Sequence, residues 1–432
     1  MAFTRKHTIN PQQWVFLAAA LAIVINYAPS CNAQSAWPQW RGPTRDGKVT
    51  EGTKWPDSIN EQTLKQQWRI ELGPSYSGPI VSDSLVFTTE TVNKSHEVVR
   101  ALDRKTGETK WEKKWEGAMS VPFFARANGD WIRSTPAFDG KHLYVGGIRD
   151  VLVCLNAETG EEVWRVDFVQ QHGSKLPSFG CVCSPMITDK YVFMQAGGGL
   201  CKLDKTNGKL IWRTLADGGG MNGSAFSSPT IAKIAGREQL LVQTRAELVG
   251  VDAENGGKLW SVTIPTFRGM NILTPTVYKG GVFTSAYGGS TKMIGIKPNA
   301  NSFETSETWN NRVTGYMSSP VIVNGHAYLH LRNQRFTCID LETGETKWTS
   351  KPFGKYWSLV ANGERILALD ERGDLLLINA TPEKFDLLES RKVSNASSWA
   401  HLASSGDQIF VRELKALTCF GWKKSDTAVA KK

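Results

Sequence analysis

The strongest constraint on this chain is a turn that returns in phase along it. An apolar strand ends in Asp or Asn, two residues intervene, Thr or Asn and then Gly follow, and a Trp stands four residues after that Gly. Copies are Leu102-Asp103 with Thr106-Gly107 and Trp111, Leu155-Asn156 with Thr159-Gly160 and Trp164, and Leu203-Asp204 with Asn207-Gly208 and Trp212. Val251-Asp252 with Asn255-Gly256 and Trp260, and Ile339-Asp340 with Thr343-Gly344 and Trp348, continue the series. A copy from Ile296 to Trp309 has no Gly, and one from Ile378-Asn379 to Leu388 has lost its Trp. The chemistry of the turn is readable: Asp or Asn caps backbone amides, Thr adds a side-chain hydrogen bond, and Gly takes the positive φ that closes a bulged hairpin.

Upstream of each copy lies another hairpin, opened by a small residue and a proline: Gly78-Pro79, Thr135-Pro136, Ser184-Pro185, Ser228-Pro229, Thr274-Pro275 and Ser319-Pro320. Proline is tolerated only at the first residue or the edge of a strand. Each unit therefore reads as four antiparallel strands with the spacing of a propeller blade. With two further starts near Leu359 and Leu402 the count is eight. The eighth unit lacks an outer strand, while Leu64 to Leu72 around Trp68 is a spare one. Pairing that strand with Leu417 to Trp422 leaves no open ring edge. The predicted fold is all-β: an eight-bladed β-propeller over 64–422, closed by its two terminal strands. A content of 40 Gly and 16 Trp suits many tight turns with one recurring large ring, and 41% hydrophobic residues argue against disorder.

At the N-terminus Arg5 and Lys6 precede an apolar run from Trp14 to Ile25, then small and polar residues. This predicts a signal peptide over 1–33, cleaved near Ala33 or Ala36, and a periplasmic or secreted protein. The run is shorter than the roughly 20 residues that a membrane span needs. Lipidation at Cys31 is the competing reading, but Ala28-Pro29-Ser30 lacks the large aliphatic residue of a lipobox. An extended leader over 34–63 and a basic tail over 423–432 complete the organisation. The formal net charge is +10, which allows peripheral contact with anionic envelope surfaces. Lys and Arg are not interleaved with aromatics, so nucleic-acid binding has no support.

The turn-plus-Trp repeat resembles the docking motif of pyrroloquinoline-quinone (PQQ) propellers, a family of PQQ-dependent dehydrogenases and non-enzymatic relatives that include the lipoprotein propeller of the outer-membrane barrel-assembly machinery. Trp37-Pro38-Gln39-Trp40-Arg41-Gly42-Pro43 also resembles the opening of exported proteins with this repeat. The resemblance implies that Trp68, Trp111, Trp164, Trp212, Trp260, Trp309 and Trp348 pack between blades. Burial of such a ring is worth at most about 4–6 kcal/mol. For an enzyme, the resemblance implies PQQ, a calcium, a carboxylate base and a disulfide between adjacent cysteines. No adjacent pair exists here, since Val182 separates Cys181 from Cys183, and a bridge across one residue is strained. Cys154, Cys338 and Cys419 share a repeat position with Ala101 and Gly250, which marks them as small core residues. Motifs for covalent haem, zinc and a serine nucleophile are missing from the sequence.

In a propeller the loops between blades and the turns between second and third strands open on one face. Here that face carries Arg126, Trp131, Arg133, Arg268, Arg312, Tyr316 and Trp357, and its turns carry Arg149, Arg245, Arg332, Arg335, Arg372 and Arg412. The plain reading is a salt-bridged rim, with Asp150, Glu247, Glu371 and Glu413 as sequence neighbours. The functional reading is an aromatic, arginine-lined funnel for an anionic ligand or an extended peptide. The function expected is a non-catalytic, monomeric binding or scaffold protein with envelope partners and no required cofactor. The alternative is a PQQ- and calcium-dependent alcohol or sugar dehydrogenase.

Overall fold

A computed structural model describes residues 1–2, 36–50, 54–223, 225–300 and 302–423. The predicted signal sequence beyond Ala2, its cleavage site at Ala33, Cys31 and the tail after Lys423 lie outside the described residues. The chain divides into two units, Met1–Ala33 and Gln34–Lys432.

The second unit is an eight-bladed propeller of eight four-stranded sheets, each ordered first to fourth strand from the channel outward. Blade 1 comprises Ile80–Val81, Leu85–Val92, His96–Asp103 and Thr109–Glu116. Blades 2, 3 and 4 open at Ala137–Phe138, Met186–Ile187 and Thr230–Ile234, and blades 5, 6 and 7 at Thr276–Tyr278, Val321–Val323 and Trp357–Asn362. Six of these starts directly follow the predicted prolines. Blade 5 keeps four strands despite its missing Gly, ending in the hairpin Thr291–Asn299 and Ser302–Asn311. Blade 8 is Ala403–Ser405, Gln408–Glu413 and Ala416–Trp422, completed by Leu64–Glu71, with Trp68 opposite Cys419.

The repeat turn locks neighbouring blades. The indole N–H of Trp68 donates to the Arg104 carbonyl at 3.0 Å, that of Trp111 to Ala157 at 3.0 Å and that of Trp164 to Lys205 at 3.0 Å. Trp212, Trp309 and Trp348 reach Glu254, Leu341 and Thr381 in the same way. Trp260 differs, donating to Gln239 of its own blade; in blade 5 the third and fourth strands stay paired as far as Asn299 and Ser302, past the place where the other blades turn. The rings of Trp68, Trp111, Trp164, Trp212 and Trp309 also cover the turn glycine of the next blade: a Cβ on Gly160 would stand 2.6 Å from Trp111, and one on Gly208 2.6 Å from Trp164. The glycines therefore serve twice, through φ values of 75° and 74° and through the space they leave for the ring. Beneath the indoles lie Ala101, Cys154, Gly250 and Cys338, with the larger Lys202 and Met293 in blades 3 and 5.

The segment before the first strand is built into the ring. Trp37 pairs with Val81 of blade 1, Phe138 of blade 2 donates to the Pro38 carbonyl, and Val49 donates to Ala361 of blade 7. Residues 36–50 thus cross the channel. Further on, Trp55 and Ile59 are buried in one cluster with Leu377 of blade 7 and Trp422 of blade 8. They fill the interface at which blade 7 has no tryptophan. There Glu389, standing at the Trp position, accepts from Ser58 Oγ at 2.7 Å and from the Ile59 amide at 2.6 Å.

Candidate functional site

The eight strands that line the channel approach it through equivalent triplets, and strand alternation assigns their side chains. Counting back from each opening proline, or from Leu359 and Leu402 in blades 7 and 8, the last residue is small and hydroxylic except for Gly78 in blade 1 and His401 in blade 8. Its hydroxyl links blades: the Gly78 amide donates to Thr135 Oγ1 at 3.0 Å, the Thr135 amide to Ser184 Oγ at 3.0 Å, and the Ser184 amide to Ser228 Oγ at 2.9 Å. The residue before it is turned into the sheet and buried. The third residue back faces the channel mouth: Tyr76, Arg133, Val182, Phe226, Ile272, Met317 and Trp399 all line one cavity of about 790 Å³. Its floor is Trp40, whose indole N–H donates to Thr274 Oγ1 at 3.1 Å.

An aromatic collar surrounds the mouth. Phe124, Phe179 and Phe226 run along one side with ring centroids 6.2 and 5.8 Å apart. Phe267, Tyr287, Tyr316, Tyr356, Trp399 and Tyr76 continue along the other, each in contact with the next at between 4.2 and 5.8 Å. Short helical turns carry the most exposed of these groups: Phe123 is 80% exposed, Phe124 53%, Met221 50% and Phe267 47%. Three cations complete the lining, Arg133, Arg245 and Arg268, and no lining residue is a carboxylate.

These arginines are held by carbonyls and rings. Arg133 donates to Trp131 O at 3.1 Å and to Gly129 O at 3.0 Å. Arg245 donates to Met221 O at 3.0 Å and Arg268 O at 2.8 Å, and its guanidinium lies 4.8 Å from the Phe226 centroid. Burial lowers the pKa of both from the usual arginine value, though it leaves them charged at neutral pH. The salt-bridged rim expected from the sequence does not form: among the described residues Arg149, Arg245, Arg332, Arg335, Arg372 and Arg412 make no ion pair within 4.0 Å. Strand geometry explains the difference, since adjacent residues point to opposite faces and the carboxylates turn elsewhere. Glu247 pairs with Lys258, and Glu413 with Arg69.

The other residues named from the sequence are scattered. Arg126 and Arg312 are exposed on the rim outside the cavity. Tyr316 belongs to the collar. Trp357 occupies the second place back from Leu359, so it points inward, stacking on His330 at 5.0 Å and donating to Asp370 Oδ2 at 3.0 Å. Sequence reasoning missed Phe179 and Phe226 and placed Arg245 only in the rim, although the place three before each proline was a usable signal for Phe226.

A family profile described as outer membrane protein assembly factor BamB matches residues 95–350. The chain belongs to this family. The outer membrane protein assembly factor BamB of Moranella endobia (strain PCIT) is 24% identical over 379 residues, covering 83% of this chain and 90% of that protein. Among solved structures, BamB from Moraxella catarrhalis superposes with a TM-score of 0.61 at 14% identity, covering 83% of this chain and 98% of that one. The quinohemoprotein alcohol dehydrogenase from Comamonas testosteroni gives 0.65 at 14% identity, covering 90% of this chain and 81% of that one. Both likenesses show the fold, which BamB proteins and quinone enzymes share.

The donor set does not fit a quinone held against calcium. Among the described residues no three His, Cys, Asp or Glu side chains converge on a metal position, and the cavity offers no carboxylate oxygen, where calcium takes six to eight oxygen ligands. Cys181 and Cys183 are both buried as free thiols, and burial raises their pKa, that of Cys183 to about 11.

Proposed function

We propose that this BamB-family propeller is a non-catalytic binding scaffold of the cell envelope, exported to the periplasm, which holds an extended, acidic and aromatic polypeptide segment of an envelope partner across its channel mouth. The observation that carries this reading is the composition of the cavity: aromatic and aliphatic walls, three arginines and no carboxylate. Arginine over a ring and arginine beside an apolar wall favour partner carboxylates flanked by aromatic side chains. An adjoining cleft of about 860 Å³ shares Arg245 and Arg268 with the cavity and is lined further by residues 263–266, by Asp217 and by the Glu247–Lys258 ion pair. It gives a bound chain a way out of the mouth. The assembly role that relatives carry in their names agrees with a binding protein of this kind.

The test is fluorescence anisotropy with short labelled peptides that alternate acidic and aromatic residues, against charge-reversed versions of the same length. Saturable binding of the acidic series is expected, weakened about tenfold by Arg133→Ala or Arg245→Ala and reduced by salt. Equal binding of the charge-reversed series would overturn the reading. So would saturable binding of PQQ with calcium, accompanied by reduction of an artificial electron acceptor.

A further inference from the structure

Below Trp40 the channel contains two arginines whose positions the mouth does not explain. Arg41 is 0% exposed and Arg45 4%, and both adopt left-handed backbone at φ 60°, a conformation that a residue with a Cβ disfavours. Arg45 donates to Pro185 O at 2.9 Å, Ser184 O at 3.2 Å and Gln39 Oε1 at 3.1 Å. Arg41 donates through Nη2 alone, to the carbonyls of Asp46 and Pro320. Arg41 Nε, Arg41 Nη1 and Arg45 Nε are buried donors with no protein acceptor.

The surroundings supply little negative charge. Asp46 is the carboxylate that acts on Arg41, and its oxygens are engaged by Thr44 Oγ1 at 2.6 Å and the Lys48 amide at 3.1 Å, with Lys48 Nζ at 3.9 Å. Each arginine is close enough to affect its neighbours: Arg41 opposes the charge of Arg45 and that of His401. His401 lies against Trp40 at 4.9 Å, and burial holds its imidazole neutral. The Cys183 thiol beside Arg45 is protonated, since burial takes its pKa to about 11. Two guanidiniums are thus withdrawn from water with one carboxylate, Asp46, acting on Arg41 and already occupied, and none acting on Arg45. A buried charge left in that condition is strongly disfavoured unless an anion compensates it.

We infer that Arg41 and Arg45 hold a small monovalent anion of the halide class in the channel beneath Trp40, bound by the three donors that the protein leaves without acceptors. A halide suits them because it accepts from several directions at once and needs no donors of its own. The carbonyls of Pro185, Ser184 and Pro320 are already turned to the same guanidiniums and would oppose the outer oxygens of a larger oxyanion. The ion would tie the N-terminal crossing to blades 3 and 6, so its effect falls on the stability of the ring and is independent of what the mouth binds.

The test uses the purified protein in gluconate, chloride and bromide at one ionic strength. Chloride and bromide are expected to raise the melting temperature saturably, by about 2 °C or more, over gluconate. Crystals grown in bromide are expected to show an anomalous peak between the two guanidiniums. Arg45→Gln is expected to lose both effects; if that variant does not fold, the wild-type halide comparison and the anomalous map decide alone. Identical melting in all three salts, with an ordered water and no anomalous peak at the site, would overturn the inference.

Discussion

The residues that hold blades together are the ones whose replacement should register most clearly. Trp164 is buried over Gly208 and donates to Lys205 O, so Trp164→Ala should cost about 3–5 kcal/mol in denaturant unfolding. Gly160→Ala should also destabilise, through its φ of 75° and through a methyl group placed against Trp111. Two buried carboxyls make stability depend on pH. Burial raises Glu97 and Asp150 to about 7, even though Glu97 accepts from Ile148 N at 2.7 Å and Trp115 Nε1 at 2.8 Å, and Asp150 accepts from Gly197 N at 2.8 Å. Each folded-state value lies above the ordinary carboxylate value, so the folded protein retains protons that the unfolded chain has released. Their contribution to stability is complete below about pH 4 and is lost as pH rises through about 7. Melting temperature measured from pH 5 to pH 8 should therefore carry a downward component that Glu97→Gln and Asp150→Asn each reduce.

At the scale of elements, the strands were legible and the crossing segment was not. Blade boundaries followed from prolines and Thr-Gly turns because those residues act locally, through fixed φ, caps and positive φ. The closing strand followed from one unpaired Trp68. The path of 36–50 could not be read in this way, since Arg41 and Arg45 find their acceptors at Pro320 and Pro185, far along the chain. Nor could the use of Trp55 at the interface that lacks a blade tryptophan. Within the mouth, Arg133 was visible and lines the cavity, whereas Trp357 looked equivalent and is turned away by a single step of strand alternation. If Trp55 replaces the missing docking residue, Trp55→Ala should destabilise about as much as Trp164→Ala. Hydrogen exchange should show the loss concentrated in blades 7 and 8 rather than spread round the ring.

Across the whole molecule, closure by the terminal strands and the channel crossing fix eight blades, so that loops from several of them present one collar. A collar of rings already packed on one another, with arginines held by carbonyls and free of carboxylate partners, loses less entropy on binding than free side chains would and selects by charge, which suits a protein that holds a partner without altering it. The most direct measurement is photo-crosslinking in the intact envelope, with a photoreactive residue placed singly at Phe124 or Phe267 on the mouth and at Val163 or Leu388 on the outer strands, all four being exposed. Adducts to a polypeptide from the two mouth positions, lost when Arg133→Ala and Arg245→Ala are combined, are the predicted result. Adducts from the outer strands alone, unchanged by those substitutions, would contradict it.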